Sequence, residues 1–507
     1  MSRPDGDGRR PRSTPSRRTP AGGASSRGAP APRTTGPRRS ADPARAAALD
    51  ALTEVESSDA YANLVLPPLL RERGITGRDA AFTTELVYGT LRLRGRYDAI
   101  LERCTRGRPL SGLDVPVRHL LRLGAHQLLG MRVPAHAAVG ETVQLARERA
   151  GVGASQLVNA VLRAVGRRPL AEWLDVITAE SGDEIAGLAA ASSHPVWMVR
   201  ALRQSLLATG RPADELPAVL EADNAGPLVS LVARPGLVSP EELREQAGRA
   251  APAEPGRWSP LAVLLPGGDP ATIPAVRRAR AGVQDEGSQL VALALAAAPL
   301  TAGHDGSAPD TRWLDLCAGP GGKAALLGAV AAQQGATLVA NEIAPHRAEL
   351  VRRSVAAVPT GTVTVRTGDG RDVGAAEPGR YDRVLVDAPC TGLGALRRRP
   401  ESRWRRTAAD LTGLGPLQRA LLDSALDATR PGGVVAYVTC SPHVAETRLA
   451  VDDVIRRRED AELIDAVAPL QEVSAAPLPG LGEGPTTQLW PHLHGTDAMF
   501  LALLRRR

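Results

Sequence analysis

Leu314-Asp315-Leu316-Cys317-Ala318-Gly319-Pro320-Gly321-Gly322-Lys323 is the stretch on which the fold turns. It reads as an apolar strand closing on an acid, then a Gly-rich turn, then the start of a helix. Such a turn after a first strand lets a ligand approach bare backbone at a helix N-terminus. Working outward, the strand candidates are Trp313–Leu316, Thr337–Ala340, Val363–Thr367, Arg383–Val386 and Val434–Val438. Helical stretches separate several of them, for example Leu417–Ala428, with Leu417, Leu421, Leu422 and Ala425 on one face. Strand, loop and helix repeated from about residue 280 onward predict an α/β doubly wound parallel sheet.

The other candidate residues fall at the carboxyl ends of these strands, where open α/β sheets bind ligands. Glu342 ends the second strand, 27 residues after Asp315, and suits a ribose diol. The third strand runs into Gly368-Asp369-Gly370, and Asp369 is placed to accept from an adenine amino group. The fourth ends in Asp387-Ala388-Pro389-Cys390 and the fifth in Thr439-Cys440-Ser441. A dinucleotide or S-adenosylmethionine fits this set. The loop is not G-x-G-x-x-G, which weakens the dinucleotide reading, and it is not a P-loop. Cys317, Cys390 and Cys440 match no metal-ligand spacing, so no metal is expected. Two thiols at neighbouring strand ends beside an Asp point instead to covalent chemistry, provided one is activated.

Upstream of the sheet the patterning changes. Residues 43–170 read as all-helical. Val117, Leu120, Leu121 and Leu128 keep helical spacing behind Pro116, and Leu157, Val158, Val161, Leu162 and Val165 do the same. Residues 171–275 read as helical linker followed by a small α+β insert, and 276–507 as the sheet domain. Residues 1–42 lack Val, Ile, Leu, Phe, Trp, Tyr and Cys, with Gly and Pro at 13 positions. Such a segment cannot offset its ordering entropy by burial, so it reads as a disordered basic tail.

Composition bounds the function. The 507 residues suggest about three domains. Only 13 are aromatic, which argues against a membrane barrel and against a sheet that stacks several bases on Phe and Tyr. No apolar run approaches a membrane span and no secretory h-region follows the N-terminal Arg pairs, so a cytoplasmic chain is expected. Four Cys exclude a disulfide scaffold. The net charge of +7 equals that of the first 42 residues alone. Nucleic-acid contact beyond the tail must therefore come from local patches, and Arg397-Arg398-Arg399-Pro400-Glu401-Ser402-Arg403-Trp404-Arg405-Arg406 is the obvious one. Of 62 basic side chains 61 are Arg; the single Lys, Lys323, marks a place where a compact ammonium is needed.

The first-strand motif, Asp-Ala-Pro-Cys and Thr-Cys-Ser, in that order, together resemble the Nol1/Nop2/Sun RNA cytosine-C5 methyltransferases. The resemblance extends over about 280–507, through Val283-Gln284-Asp285-Glu286-Gly287-Ser288 and Asp497-Ala498-Met499-Phe500. The helical region resembles NusB-like RNA-binding domains through Leu86-Val87-Tyr88-Gly89-Thr90, Pro134-Ala135-His136 and Leu157-Val158-Asn159-Ala160-Val161-Leu162-Arg163. The two together are similar to bacterial small-subunit (16S) rRNA methyltransferases.

The resemblance implies a class I S-adenosylmethionine-dependent sheet behind a NusB-like bundle, acting on 16S rRNA as a monomer. It makes Cys440 the nucleophile on cytosine C6, assigns Cys390 to proton removal or release, and sets Asp387 and Lys323 at the base. Cofactor contacts fall on Cys317, Ala318, Gly319, Pro320, Gly321, Gly322, Lys323, Glu342, Asp369 and Asp387. Arg397, Arg398, Arg399, Arg403, Arg405 and Arg406 are expected to meet RNA phosphates. Two departures stand out. Ala498-Met499 replaces the family's Gly-Phe, and of the acidic stretch after Thr-Cys-Ser only Glu446 is clear. The rival readings are the same chemistry on tRNA or large-subunit rRNA, a catalytically inactive antitermination or assembly factor, and a NAD-dependent dehydrogenase.

Overall fold

The computed structural model describes residues 41–507 apart from 106, 249–251, 303–309 and 483. The expected tail, save Ala41 and Asp42, lies outside the described residues. Asp42 caps the first helix, its carboxylate accepting from the Arg45 amide.

Helices Pro43–Ser57, Ala62–Glu72, Gly77–Arg92, Arg94–Cys104, Val115–Leu129 and Ala135–Val165 form the N-terminal bundle. Pro116 sits in the first turn of its helix, where a missing N–H costs nothing. The longest helix breaks at Gly151, whose φ of +88° a side chain would resist. Leu52, Leu86, Ile100, Leu120, Val158 and Leu162 fill one core. His126 is buried there against the Tyr97 hydroxyl at 2.8 Å.

Helices Leu170–Ala179, Glu184–Ser192, Val196–Ala208 and Leu216–Asn224 lead to a small antiparallel sheet. Its strands β1 (Val229–Ala233), β2 (Glu254–Pro255), β3 (Ala262–Leu265) and β4 (Ala281–Val283) lie in the order β2-β3-β1-β4. The boundary expected at 275 therefore falls one strand too early, because β4 pairs with β1.

The second sheet is the doubly wound layer that the sequence calls for, though mixed rather than wholly parallel. β5 (Arg312–Asp315), β6 (Thr337–Glu342), β7 (Val363–Thr367), β8 (Tyr381–Asp387) and β9 (Thr429–Thr439) pair parallel in the order β7-β6-β5-β8-β9. Beyond β9, β10 (Ala461–Ile464), β11 (Thr487–Gln488) and β12 (Phe500–Arg506) are antiparallel; β12 pairs with β9, β10 and β11. Both faces of the central strands are buried, so β9 carries a near-continuous apolar run, while the edge strand β7 is partly exposed. Along β9, Val434, Ala436 and Val438 face one core with helices Glu286–Ala297 and Gly322–Gln334. Val435 and Tyr437 face the other with helix Asp410–Ala428. The carboxyl ends of β5, β6, β8 and β9 open onto one cavity.

Candidate active site

The cavity holds about 360 Å³ and takes its walls from strand ends. β5 closes on Asp315 and the chain turns through Cys317, Ala318 and Gly319 into helix Gly322–Gln334. The turn is tight: the Gly321 amide donates to the Ala318 carbonyl at 2.7 Å, and Gly321 has φ of +105°. Glu342, buried at the end of β6, fastens this loop. One of its oxygens accepts from the Gly319 amide at 2.9 Å, the other from the Ala344 amide at 3.0 Å. A Cβ on Gly319 would sit 2.3 Å from the Glu342 carboxylate, so only glycine closes the loop.

Cys317, Gly319, Glu342, Asp369, Asp387, Cys390 and Cys440 all line the cavity. Ala318, Pro320, Gly321 and Gly322 shape the loop without lining it. Asp369 faces the cavity with its carboxylate engaged by Arg371, which holds it below the usual carboxylate range. Burial pushes the Cys317 thiol up, which suits an inert wall rather than a nucleophile.

Lys323 reaches from the first turn of its helix to Asp387, Nζ to Oδ2 at 2.8 Å. It is nearly buried, yet the Asp387 carboxylate outweighs the desolvation and keeps it an ammonium. Below this pair Asp315 is wholly buried and neither of its oxygens finds a hydrogen-bond partner. Burial and the charge of Asp387 push Asp315 up to about 8, so it carries its proton at neutral pH.

The two strand-end thiols meet, Cys390 Sγ to Cys440 Sγ at 3.5 Å. Either sulfur can donate to the other. Cys440 is lowered by the hydrogen bond it receives from Cys390, with a smaller contribution from the Lys323 charge. Cys390 is raised by the same contact and by burial. The asymmetry makes Cys440 the thiol that ionises more readily and Cys390 the one that keeps its proton.

Glu446 fixes that approach, and the sequence reading gave it no such role. It lies on the turn after β9, buried, and bridges the residues that follow each thiol. It accepts from the Thr391 amide at 2.8 Å, the Thr391 hydroxyl at 2.5 Å and the Ser441 hydroxyl at 2.6 Å. Gln418 adds a longer bond at 3.2 Å. The only signal in the sequence was a lone acid a few residues beyond Thr-Cys-Ser. Tyr61, from the helical bundle, also lines the cavity and was not singled out either.

The arginine segment is corrected for two of its six members, Arg397 and Arg403. Arg403 is wholly buried and donates to the carbonyls of Arg92 and Asp223 and to the Asn224 side chain, at 2.7–2.8 Å. Arg397 is buried on the Gly495 carbonyl and beside Asp285. Arg398 is ion-paired with the buried Asp497. Arg405 donates to the carbonyls of Val55 and Ala60. Arg397 and Arg403 are buried away from any phosphate, whereas Arg398 and Arg405 are partly exposed but already engaged. Arg399 and Arg406 line the cavity, and neither makes an ion pair among the described residues.

Comparison with known proteins fits this geometry. A family model described as 16S rRNA methyltransferase RsmB/F matches residues 306–505, and the NusB family model matches 42–167. The ribosomal RNA small subunit methyltransferase B of Vibrio cholerae is 33% identical over 91% of this chain and 97% of its own length. The chain belongs to the RsmB/F family. A Mycobacterium tuberculosis protein, MT1451, is 51% identical over 94% of this chain and 99% of its own. The solved structure of PH0851 shares the fold, with a TM-score of 0.73 at 19% identity, covering 92% of this chain and 99% of that one. Among the described residues no helix is long and apolar enough to cross a membrane, and no cluster of side chains fits a metal ion.

Proposed function

We propose that this RsmB/F-family chain transfers a methyl group from S-adenosylmethionine to C5 of a cytosine in 16S rRNA, in the cytoplasm. The observation that carries the reading is the pair of strand-end thiols 3.5 Å apart beside the Lys323–Asp387 ion pair. Methyl transfer to an oxygen or an exocyclic nitrogen needs no such pair. Carbon C5 of cytosine is a poor nucleophile until something adds at C6.

The cofactor fits the other end of the cavity. Glu342 retains lone pairs toward a ribose diol, and Gly319 leaves backbone bare for close approach. Ile343, an exposed apolar side chain on the cavity wall, offers a face for the adenine. When bound, the cofactor supplies an electrophilic methyl group.

The protein residues do the rest. The Cys440 thiolate adds to C6, and the electrons of the C5–C6 double bond move toward N3 and the carbonyl. The Lys323 ammonium, held against Asp387 at the base edge, offsets that charge. C5 then takes the methyl group. Cys390 loses its own proton to solvent water and, as a thiolate, takes the C5 proton; the C5–H electron pair re-forms the C5–C6 double bond and expels the Cys440 thiolate. The target must leave its stack to reach a pocket at the strand ends.

The test is covalent trapping. RNA carrying 5-fluorocytidine, which has no C5 proton to lose, should form a stable adduct with the unaltered chain and S-adenosylmethionine. Cys440→Ala should abolish the adduct and Cys390→Ala should retain it. The reverse pattern would exchange the two roles.

A further inference from the structure

Tyr61 belongs to the helical bundle, at the start of helix Ala62–Glu72, yet it lines the cavity that holds both thiols. It is half-buried, and the turn that carries it is fastened. The Ala62 amide donates to Glu401 at 2.9 Å. Arg405 donates to the carbonyls of Val55 and Ala60 and pairs with Asp59 at 2.8 Å. Asp59 itself takes φ of +54°, the left-handed conformation that Asp adopts more readily than most side chains. The turn is thus held in place from the catalytic side by the segment that follows Cys390.

Two guanidiniums lie over the ring, Arg405 at 5.5 Å and Arg399 at 5.0 Å from its centre. They are not equivalent. Arg405 is anchored by hydrogen bonds, whereas the Arg399 side chain makes neither a hydrogen bond nor an ion pair among the described residues. A planar cation resting on an aromatic face occupies the place that a nucleobase takes, and the ring is indifferent to which base it stacks. Arg406, also on the cavity wall, adds a second cation without an ion pair among the described residues.

We propose that Tyr61 is a substrate-binding residue. A nucleobase flanking the target cytosine stacks on its ring, displacing the Arg399 guanidinium, which turns to the strand's phosphate. The proposal rests on the RNA-methyltransferase reading above. It gives the bundle a direct place in the catalytic pocket, so the target strand is read by both ends of the chain at once. The inner end of the cavity, with Cys440, Cys390 and Asp387, is left for the target base, and the Glu342 end for the cofactor.

The full-length protein is assayed with labelled S-adenosylmethionine and protein-free 16S rRNA transcript. Tyr61→Leu should raise KM for RNA about five- to hundred-fold, the scale of one base–aromatic stack. Its kcat and its affinity for S-adenosylmethionine should stay within about two-fold. Tyr61→Phe and Tyr61→Trp should behave like the unaltered chain. An unchanged KM in a folded Tyr61→Leu protein overturns the proposal, as does a Tyr61→Phe variant as impaired as Tyr61→Leu. If Tyr61→Leu does not fold, transcript containing 5-bromouridine is irradiated with the unaltered chain. A crosslink on Tyr61 supports the proposal and its absence overturns it. An unaltered chain that methylates no RNA would instead sink the reading on which the proposal stands.

Discussion

Replacing Glu446 by Ala should disconnect the two thiols without touching the cofactor end of the cavity. The carboxylate is buried and accepts three short hydrogen bonds, two from Thr391 and one from Ser441. After truncation the two hydroxyls can turn to each other, since they already lie 3.2 Å apart. Gln418 keeps its bond to the Pro389 carbonyl at 2.8 Å. The Thr391 amide has no substitute and is left buried and unpaired, which costs about 1–3 kcal/mol. Loss of the charge-assisted hydroxyl bonds adds about 1.5–3 kcal/mol. The expected destabilisation is thus about 3–5 kcal/mol, read by denaturant unfolding. Glu446→Gln keeps one oxygen for the Thr391 amide and should cost about 1–2 kcal/mol.

A functional effect should accompany the thermodynamic one. Thr391 and Ser441 each follow a thiol, so slack of about 1 Å between Cys390 and Cys440 is the expected result, and such a displacement costs about a hundred-fold in rate. Single-turnover methyl transfer, run well below the unfolding temperature, should therefore fall about a hundred-fold in Glu446→Ala. Calorimetric affinity for S-adenosylmethionine should stay within about two-fold, because Glu342 and Asp369 lie at other strand ends. Normal turnover in the folded variant would refute the bridging role. An equal loss of cofactor affinity would show that the whole site had collapsed.

Other consequences are as direct. Lys323→Arg should lower turnover more than ten-fold, since a planar guanidinium cannot replace a nearly buried ammonium 2.8 Å from Asp387; a steady-state assay decides it. Asp315 has its folded pKa raised to about 8, above its unfolded value, so it lowers stability progressively as pH rises from about 4 to 8. The melting temperature of Asp315→Asn should therefore gain on that of the unaltered chain across this window and level off above it. Arg399→Ala and Arg406→Ala should each reduce the salt dependence of RNA binding by up to about one unit of log–log slope. Arg403→Ala should leave that slope unchanged while lowering the melting temperature, because Arg403 serves only internal carbonyls and amides.

Much of this was legible in the sequence. The five parallel strands show as short apolar runs between Gly- and Pro-rich loops, and the chemistry-bearing residues mark their ends. β12 was not read as a strand: Phe500-Leu501-Ala502-Leu503-Leu504 is a continuous apolar run, and periodicity cannot tell a buried strand from a buried helix over so few residues. The three residues of β4 are too short to show any pattern. The arginine segment misled for a different reason. A count of charges cannot distinguish a solvated guanidinium from one whose acceptors come from distant elements, as the Arg92 and Asp223 carbonyls do for Arg403. Glu446 and Tyr61 were hidden likewise. One acts across two loops and the other comes from a different domain, and neither relation is local in the chain.

The central claim is a methyl group placed on carbon C5 of cytosine in 16S rRNA. The direct measurement incubates the protein with labelled S-adenosylmethionine and protein-free 16S rRNA, then digests the RNA and maps the label by nucleoside mass spectrometry and bisulfite sequencing. The account predicts 5-methylcytosine at a discrete position, absent with Cys440→Ala. Label on a ribose oxygen or an exocyclic nitrogen, or undiminished transfer by Cys440→Ala, would contradict it.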